Sequence, residues 1–410
     1  MVDLAPFRAL RYDPAVAGDA ASTSAPAYDE LEPFAYASHR TASPYTVLEL
    51  IAAGADGDYG AAGSTYRRWR RTGVLRLDPT PAFYRYEEHE LRGGIPAVQR
   101  GIVGALALEP LQPGSHVLAH EHVDAARVAT RLARLRAVPA DLAPVFAVAT
   151  RLPPEVSALL AAPPTTPPLV ACSDEAGVDH RVWAVTDPDA VATVRRALRD
   201  VHVVLADGHH RYAAALAARD GSAAGQRTLV YLCDATVDGP RLAPVHRLVT
   251  GLGRDVVERL AADFVLTPVP AEGLVARVGR AGPGTLGLRL PGGRAWTLVA
   301  RDPEALAARL PRQRSARWRR LDTALLELAV LPRLGVPPEA ISHSTDAAAA
   351  TAAVEAAGDA ALFVLAPIDV ATVVAIASGG ERMPPKTTSF RPKPRSGLIM
   401  RALDADADRT

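Results

Sequence analysis

The stretch "ADGHHRY" at residues 206–212 places an acid, a glycine, two histidines and an arginine between the apolar run "VHVVLA" and an alanine-rich run of helical composition. A short, β-branched apolar run suits a strand buried on both faces, so a strand is predicted here, followed by a helix that begins near His209. The start of a helix offers unpaired N–H groups and the positive end of its dipole. Gly208 allows a backbone conformation, or a close ligand approach, that a side chain would block. Such a junction binds anions, phosphate above all. Arg211 adds a planar cationic fork, and His209 and His210 add donors that reach phosphate oxygens. Asp207 is the odd member, because a carboxylate in contact with phosphate is repelled by about 1–4 kcal/mol, depending on the effective dielectric. A cation between them removes the repulsion, so the motif implies a divalent metal, magnesium first, bridging Asp207 and a polyphosphate. Taken alone, the same residues also read as an N-cap aspartate followed by structural histidines.

Two further clusters carry chemistry. In "SHVLAHEHVDAARVATR" (115–131), Glu121 lies between His120 and His122. A carboxylate there can serve as a general base, and two histidines at i and i+2 share one face of an extended chain and can hold a metal. A structural role for this triplet stays open. Near the C-terminus, "ERMPPKTTSFRPKPRSGLIMRAL" brings Lys386, Thr387, Thr388, Arg391, Lys393 and Arg395 into ten residues. Its prolines exclude a helix, which leaves an extended, positively charged segment or a solvated basic tail.

The elements that position these clusters interleave along the chain. Helix-like "STYRRWRRTGVL" precedes strand-like "AFYRYEEHEL" and "RGIVGALALE", which the turn at Gly93 and Gly94 predicts as a hairpin. A helix is expected over 124–137, a strand at "PVFAVAT", and a loop at "AAPPTTPPL". Residues 169–225 read strand, strand, helix, strand, helix. Beyond them come strand "TLVYLC", helix "RDVVERLAADF", two strands around "LPGGRAW", and helix "LDTALLELAVLPRLG". The apolar segment from Ala361 is broken by Pro367 and Asp369, and reads as a strand, a turn and a helix capped by Asp369 in preference to a membrane span. The expected class is α/β, or α+β with a mixed sheet.

With 410 residues, 49% apolar and 22% charged, the chain belongs with globular proteins of two or three subdomains. A formal net charge of +1 gives no general pull toward nucleic acid or an anionic membrane. Two cysteines, Cys172 and Cys233, are too few for a disulfide framework. They and the absence of an apolar leader in "MVDLAPFRALRYDP" fit a cytoplasmic protein.

In this order, the clusters resemble the bacterial domain of unknown function 1015 family. The resemblance rests on "FRALRYDP" from Phe7, "SPYT" from Ser43, "AHE" from Ala119, "ADGHHRY" from Ala206 and "ERMPPKTTSFRPKPRSGLIMR" from Glu381, and it spans nearly the whole chain. "APAYD" at 25–29 also matches, with no role assigned. The same set is similar to the archaeal free serine kinases, ParB/sulfiredoxin-like enzymes that phosphorylate L-serine from a nucleotide. The chain departs from those patterns at Ala119, Val128, Ser389 and Phe390.

The resemblance implies a ParB/sulfiredoxin-like nucleotide-binding core with flanking α/β subdomains. It divides the chain into 1–150 with the AHE element, 151–250 with DGHHR, 251–380, and a basic segment 381–410 returning to the site. Glu121 becomes the base, with His120 beside it among the catalytic residues. Asp207, Gly208, His209, His210 and Arg211 become the phosphate and metal site, and Lys386, Thr387 and Thr388 close over phosphate or substrate. The expected activity is transfer of phosphate from ATP or ADP, with magnesium, to the hydroxyl of free L-serine, giving O-phosphoserine. The alternatives are a ParB-like nucleotide switch without turnover, and a metal-dependent hydrolase using His120, His122, Asp207 and His209. Neither nucleic acid nor membrane is expected as a partner.

Overall fold

Apolar and alternating runs from the first 240 residues pair into one sheet. The computed structural model describes residues 2–27, 39–52, 57–219, 221–222, 224–253 and 255–404, so Tyr28 and Asp29 of the "APAYD" element lie outside the described residues. Contacts divide the chain into two units, Met1–Pro240 with Pro392–Thr410, and Arg241–Arg391. These are not the divisions expected at 150, 250 and 380. Segments 1–150 and 151–250 feed strands into the same sheet, and the basic segment is shared between the units.

In the first unit the strands are β1 (Leu4–Ala5), β2 (Phe83–Arg92), β3 (Ile95–Ala107), β4 (Val117–Ala119), β5 (Val145–Ala149), β6 (Val170–Ser173), β7 (Asp179–Val185), β8 (Val203–Asp207) and β9 (Arg227–Asp234). Their order is β4-β8-β5-β9-β3-β2-β7-β6, with β1 on β3. β4 pairs with β8, and β5 with β9, in parallel, while the other pairings are antiparallel. The sheet is therefore mixed, as the interleaved elements predict. Gly93 and Gly94 both take positive φ, which lets β2 turn tightly into β3.

Side chains alternate across a strand, so the register separates two faces. One carries Phe83, Ile102, Val145, Ala147, Val203, Leu205, Val230 and Leu232, and packs into an apolar core. Four helices contribute to that core: α1 (Ala125–Ala137) through Leu135, α2 (Pro154–Ala161) through Val156 and Leu160, α3 (Pro188–Ala197) through Val194, and α4 (His209–Ala217) through Tyr212 and Ala215. The opposite face carries Tyr86, Glu88, Gln99, His180, Tyr231 and Cys233, all buried.

The second unit has a six-stranded antiparallel sheet. Its strands are β10 (His246–Val249), β11 (Phe264–Pro268), β12 (Thr285–Leu290), β13 (Arg294–Ala300), β14 (Ile341–Ser344) and β15 (Ala361–Val364), in the order β11-β13-β12-β15-β10-β14. The strand and Asp369-capped helix expected after Ala361 are present, the helix as Val370–Ser378 with Asp369 accepting from the Thr372 N–H. Among the described residues no helix is long and apolar enough to cross a membrane.

Two expected helices differ. The one expected over 64–75 runs Gly60–Arg71, because Gly73 takes positive φ and Leu75 pairs with Tyr12 as a strand. The one expected over 321–335 is a single turn at Asp322–Ala324, a wide π turn over Leu325–Val330, and a tight 3₁₀ turn over Leu331–Leu334. Pro332 lacks an N–H and its ring crowds the carbonyl four residues back, so a regular helix cannot pass through it.

Gly101 of β3 lies where the sheet tolerates no side chain. A Cβ there would come within 2.5 Å of the Leu232 carbonyl oxygen and of the Tyr231 ring, and 2.7 Å from Cys233 Sγ. Gly101→Ala is expected to lower stability by about 1–3 kcal/mol, read as a reduced urea midpoint. An unchanged midpoint would show that β3 and β9 do not approach this closely.

Candidate functional site

β4 and β8 run parallel with Ala119 beside Leu205, so the residues that follow each strand leave the sheet at the same end. In open α/β sheets, ligands bind outside the carboxyl ends of parallel strands. The AHE element follows β4 and the DGHHR element follows β8, and the two meet. The rings of His120 and His209 stack edge-on at 4.6 Å between centroids, and the His120 backbone N–H donates to His209 Nε2 at 3.4 Å. The Asp124 N–H donates to His210 Nε2 at 3.0 Å. Asp124 in turn caps α1 by accepting from the Arg127 N–H. Buried His120 donates from Nδ1 to the Leu205 carbonyl at 2.7 Å, which leaves its Nε2 facing Glu121, 3.9 Å from Oε1.

Gly208 is the N-cap of α4, with φ +86°. A Cβ at this position would also lie 2.9 Å from Arg211 Cζ, so both backbone and space require glycine. Just before it, the register of β8 against β5 shifts: Leu205 pairs with Ala147, and Asp207, two residues on, pairs with Phe146. This bulge turns Asp207 away from the face that carries Leu205 and onto the polar face. There its Oδ2 accepts from Arg211 Nη2 at 2.6 Å and its Oδ1 accepts from Lys393 Nζ at 2.6 Å. Burial pushes the Asp207 carboxyl up, but Lys393 and Arg211, with His209 adding to them, outweigh it and hold the group well below the usual carboxylate range. Arg211 is itself buried and also donates to the carbonyls of Ala143 and Pro144.

Lys386, Thr387 and Thr388 belong to the second unit. Thr387 Oγ1 donates to the Pro384 carbonyl at 2.7 Å and lies 3.1 Å from Thr323 Oγ1, and Lys386 takes a φ of 55°. From the same basic stretch it is Lys393, not assigned a site role from the sequence, that reaches Asp207.

Both oxygens of Asp207 are bonded to cations, and among the described residues no group of three His, Cys, Asp or Glu gathers that could hold a metal. His120 Nδ1, His209 Nε2 and His210 Nε2 are likewise engaged with backbone groups.

Residues 4–324 match the model of the family described as "Protein of unknown function (DUF1015)". The chain belongs to that family. Among the curated proteins nothing matches it. Among solved structures it is similar to a conserved hypothetical protein from Pyrococcus furiosus, at 14% identity and a TM-score of 0.35 over 71% of this chain and 94% of the other. It is also similar to a free serine kinase in complex with AMP (12%, TM-score 0.34, 71% and 93%). A third similar structure is SbnI with a C-terminal truncation from Staphylococcus aureus (11%, TM-score 0.35, 69% and 82%).

In this DUF1015 chain the polar sheet face continues from Asp207 into a buried network that sequence reading missed. The Arg395 N–H donates to Tyr86 Oη at 3.3 Å, Tyr86 donates to His180 Nδ1 at 2.8 Å, and His180 Nε2 donates to Asp174 at 3.1 Å. The Arg395 guanidinium bonds Ser24 and Glu175. Beside them, fully buried Glu88 accepts from Gln99, whose amide also donates to the Pro392 carbonyl at 3.3 Å. Burial pushes the Glu88 carboxyl up to about 8 from its ordinary 4.5.

A carboxyl raised in the folded state binds more protons than in the unfolded chain between those two values, so stability falls as pH rises through that window. Glu88→Gln keeps the shape and an acceptor and removes the proton. Relative to this variant, the wild type is expected to lose a few kcal/mol between about pH 5 and pH 8, read from urea midpoints at pH 5, 6.5 and 8. Parallel profiles for the two proteins would refute a protonated Glu88.

Proposed function

We propose that this protein is a nucleotide-dependent kinase for a small hydroxyl compound, with free L-serine as the first acceptor to test and ATP or ADP as donor. The observation that carries the reading is the meeting of the AHE and DGHHR elements at one end of β4 and β8, through His120 with His209 and Asp124 with His210. Two stretches 80 residues and more apart, each with a residue set suited to phosphoryl transfer, touch one another.

In this reading the nucleotide phosphates lie at the start of α4, where the first N–H groups and the dipole favour negative charge. Arg211 and Lys393 add positive charge at Asp207, directly before that start. Glu121, partly exposed beside buried His120, orients the acceptor hydroxyl and takes its proton. The hydroxyl oxygen forms a bond to the transferred phosphorus as the bond from that phosphorus to its bridging oxygen breaks, and the nucleotide leaves one phosphate shorter. Positioning and charge stabilisation supply most of the rate in such a transfer, and a general base adds roughly 10²–10⁴-fold.

Purified protein incubated with magnesium, L-serine and ATP or ADP is expected to form O-phosphoserine with matching consumption of nucleotide, measured by mass spectrometry. Glu121→Gln is expected to cut the rate by roughly 10²-fold or more while nucleotide binding persists. Nucleotide binding without turnover of any small hydroxyl compound would instead make the protein a switch. Full activity in Glu121→Gln would remove Glu121 from the chemistry.

A further inference from the structure

Residues 392–396 form an extended strap over the polar face of the first unit's sheet, anchored on both sides of Lys393. Before it, the Pro392 carbonyl accepts from Gln99. After it, the Arg395 N–H donates to Tyr86, the Arg395 guanidinium bonds Ser24 Oγ at 3.0 Å and Glu175 at 3.0 Å, and Ser396 pairs with Ala25. Pro392 and Pro394 restrict the backbone on either side of the lysine. The Lys393 side chain is 13% exposed and ends on Asp207, itself 16% exposed, opposite Arg211 at 8%. Gln99, Tyr86 and Asp207 all project from one sheet face, so the strap presents its lysine to the site along a fixed line.

An ammonium is a compact point charge on a flexible stem, whereas a guanidinium bound to two carbonyls and a carboxylate is held in one orientation. The two cations at Asp207 are therefore different in kind. Arg211 is tied to α4, the carbonyls at 143 and 144, and Asp207. Lys393 can exchange one oxygen partner for another by rotation of its own stem. The cation that the Asp207 motif demands beside a polyphosphate is already present in the chain.

We propose that Lys393 is the resident cation of the nucleotide site: it neutralises Asp207 in the free protein and turns to a terminal phosphate oxygen when nucleotide binds, so binding requires no metal at Asp207. This rests on the nucleotide-binding reading above. The recognised ligand is a nucleoside di- or triphosphate, and a nucleoside without phosphates gains nothing from the lysine.

Isothermal titration calorimetry with ADP, and with adenosine as the phosphate-free comparison, tests it on the full chain. Wild-type protein is expected to bind ADP in EDTA with a Kd within about threefold of that in magnesium. Lys393→Met is expected to weaken ADP by about tenfold or more in both conditions without changing adenosine binding, and Lys393→Arg is expected to restore most of the loss. ADP binding that vanishes in EDTA and returns with magnesium, or a Lys393→Met protein that binds ADP as the wild type does, would overturn the proposal while leaving the nucleotide reading intact. Wild-type protein that binds ADP in neither condition would overturn both. The wild-type comparison decides the metal requirement even if Lys393→Met fails to fold, and thermal melts of both variants report whether it does.

Discussion

In the first unit a largely buried carboxylate is held between two cations. Asp207 receives one cation from four residues away on the same helix start and the other from 186 residues away on the strap. Removing one partner of such a buried set typically costs about 3–5 kcal/mol, because the remaining charge is left uncompensated. The bulge in β8, the left-handed Gly208, the first turn of α4 and the strap must therefore form together. A bulge that failed to turn Asp207 would aim it into the apolar face, and a strap that failed to dock would leave Asp207 with Arg211 alone.

The same logic explains why the sheet has two unlike faces. The apolar face needs only volume, which helices α1 to α4 supply through leucine, valine, alanine and tyrosine side chains. The opposite face buries Glu88, Gln99, Tyr86 and His180, and buried polar groups need partners that a helix's apolar stripe cannot give. An extended strap can, because its backbone groups are not consumed by its own hydrogen bonds. The Pro392 carbonyl and the Arg395 N–H do this work, and the two prolines keep the strap from folding onto itself.

Local features of this fold were legible in the sequence, and non-local ones were not. The strand before Asp207, the helix after Gly208, the hairpin at Gly93 and Gly94, the helix over 124–137 and the cap at Asp369 all follow from residue types within a few positions. Pro332 could have warned against one long helix, since its effect is equally local. The bulge carries no such mark: "VVLAD" reads the same whether Asp207 faces the core or the strap. Nor does a basic run announce which of its members travels to a carboxylate far upstream, so Lys386 and Lys393 look alike until the chain is folded. The division into units is hidden for a related reason, because β1 to β9 come from both sides of the boundary expected at 150.

The histidines of the motif bear on how its two readings relate. His209 and His210 accept from backbone N–H groups of the loop after β4, and His120 donates to a backbone carbonyl of β8. Each ring is thus oriented by a partner in the protein, which is what a structural histidine does. Yet the groups they hold are the His120 backbone, the start of α1 and the end of β8, so they join the loop that carries Glu121 to the start of α4. The bland reading and the functional one are then not rivals. The histidines join the loop after β4 to the start of α4, and that junction is where the proposed chemistry places Glu121 for the proton and Lys393 for the charge.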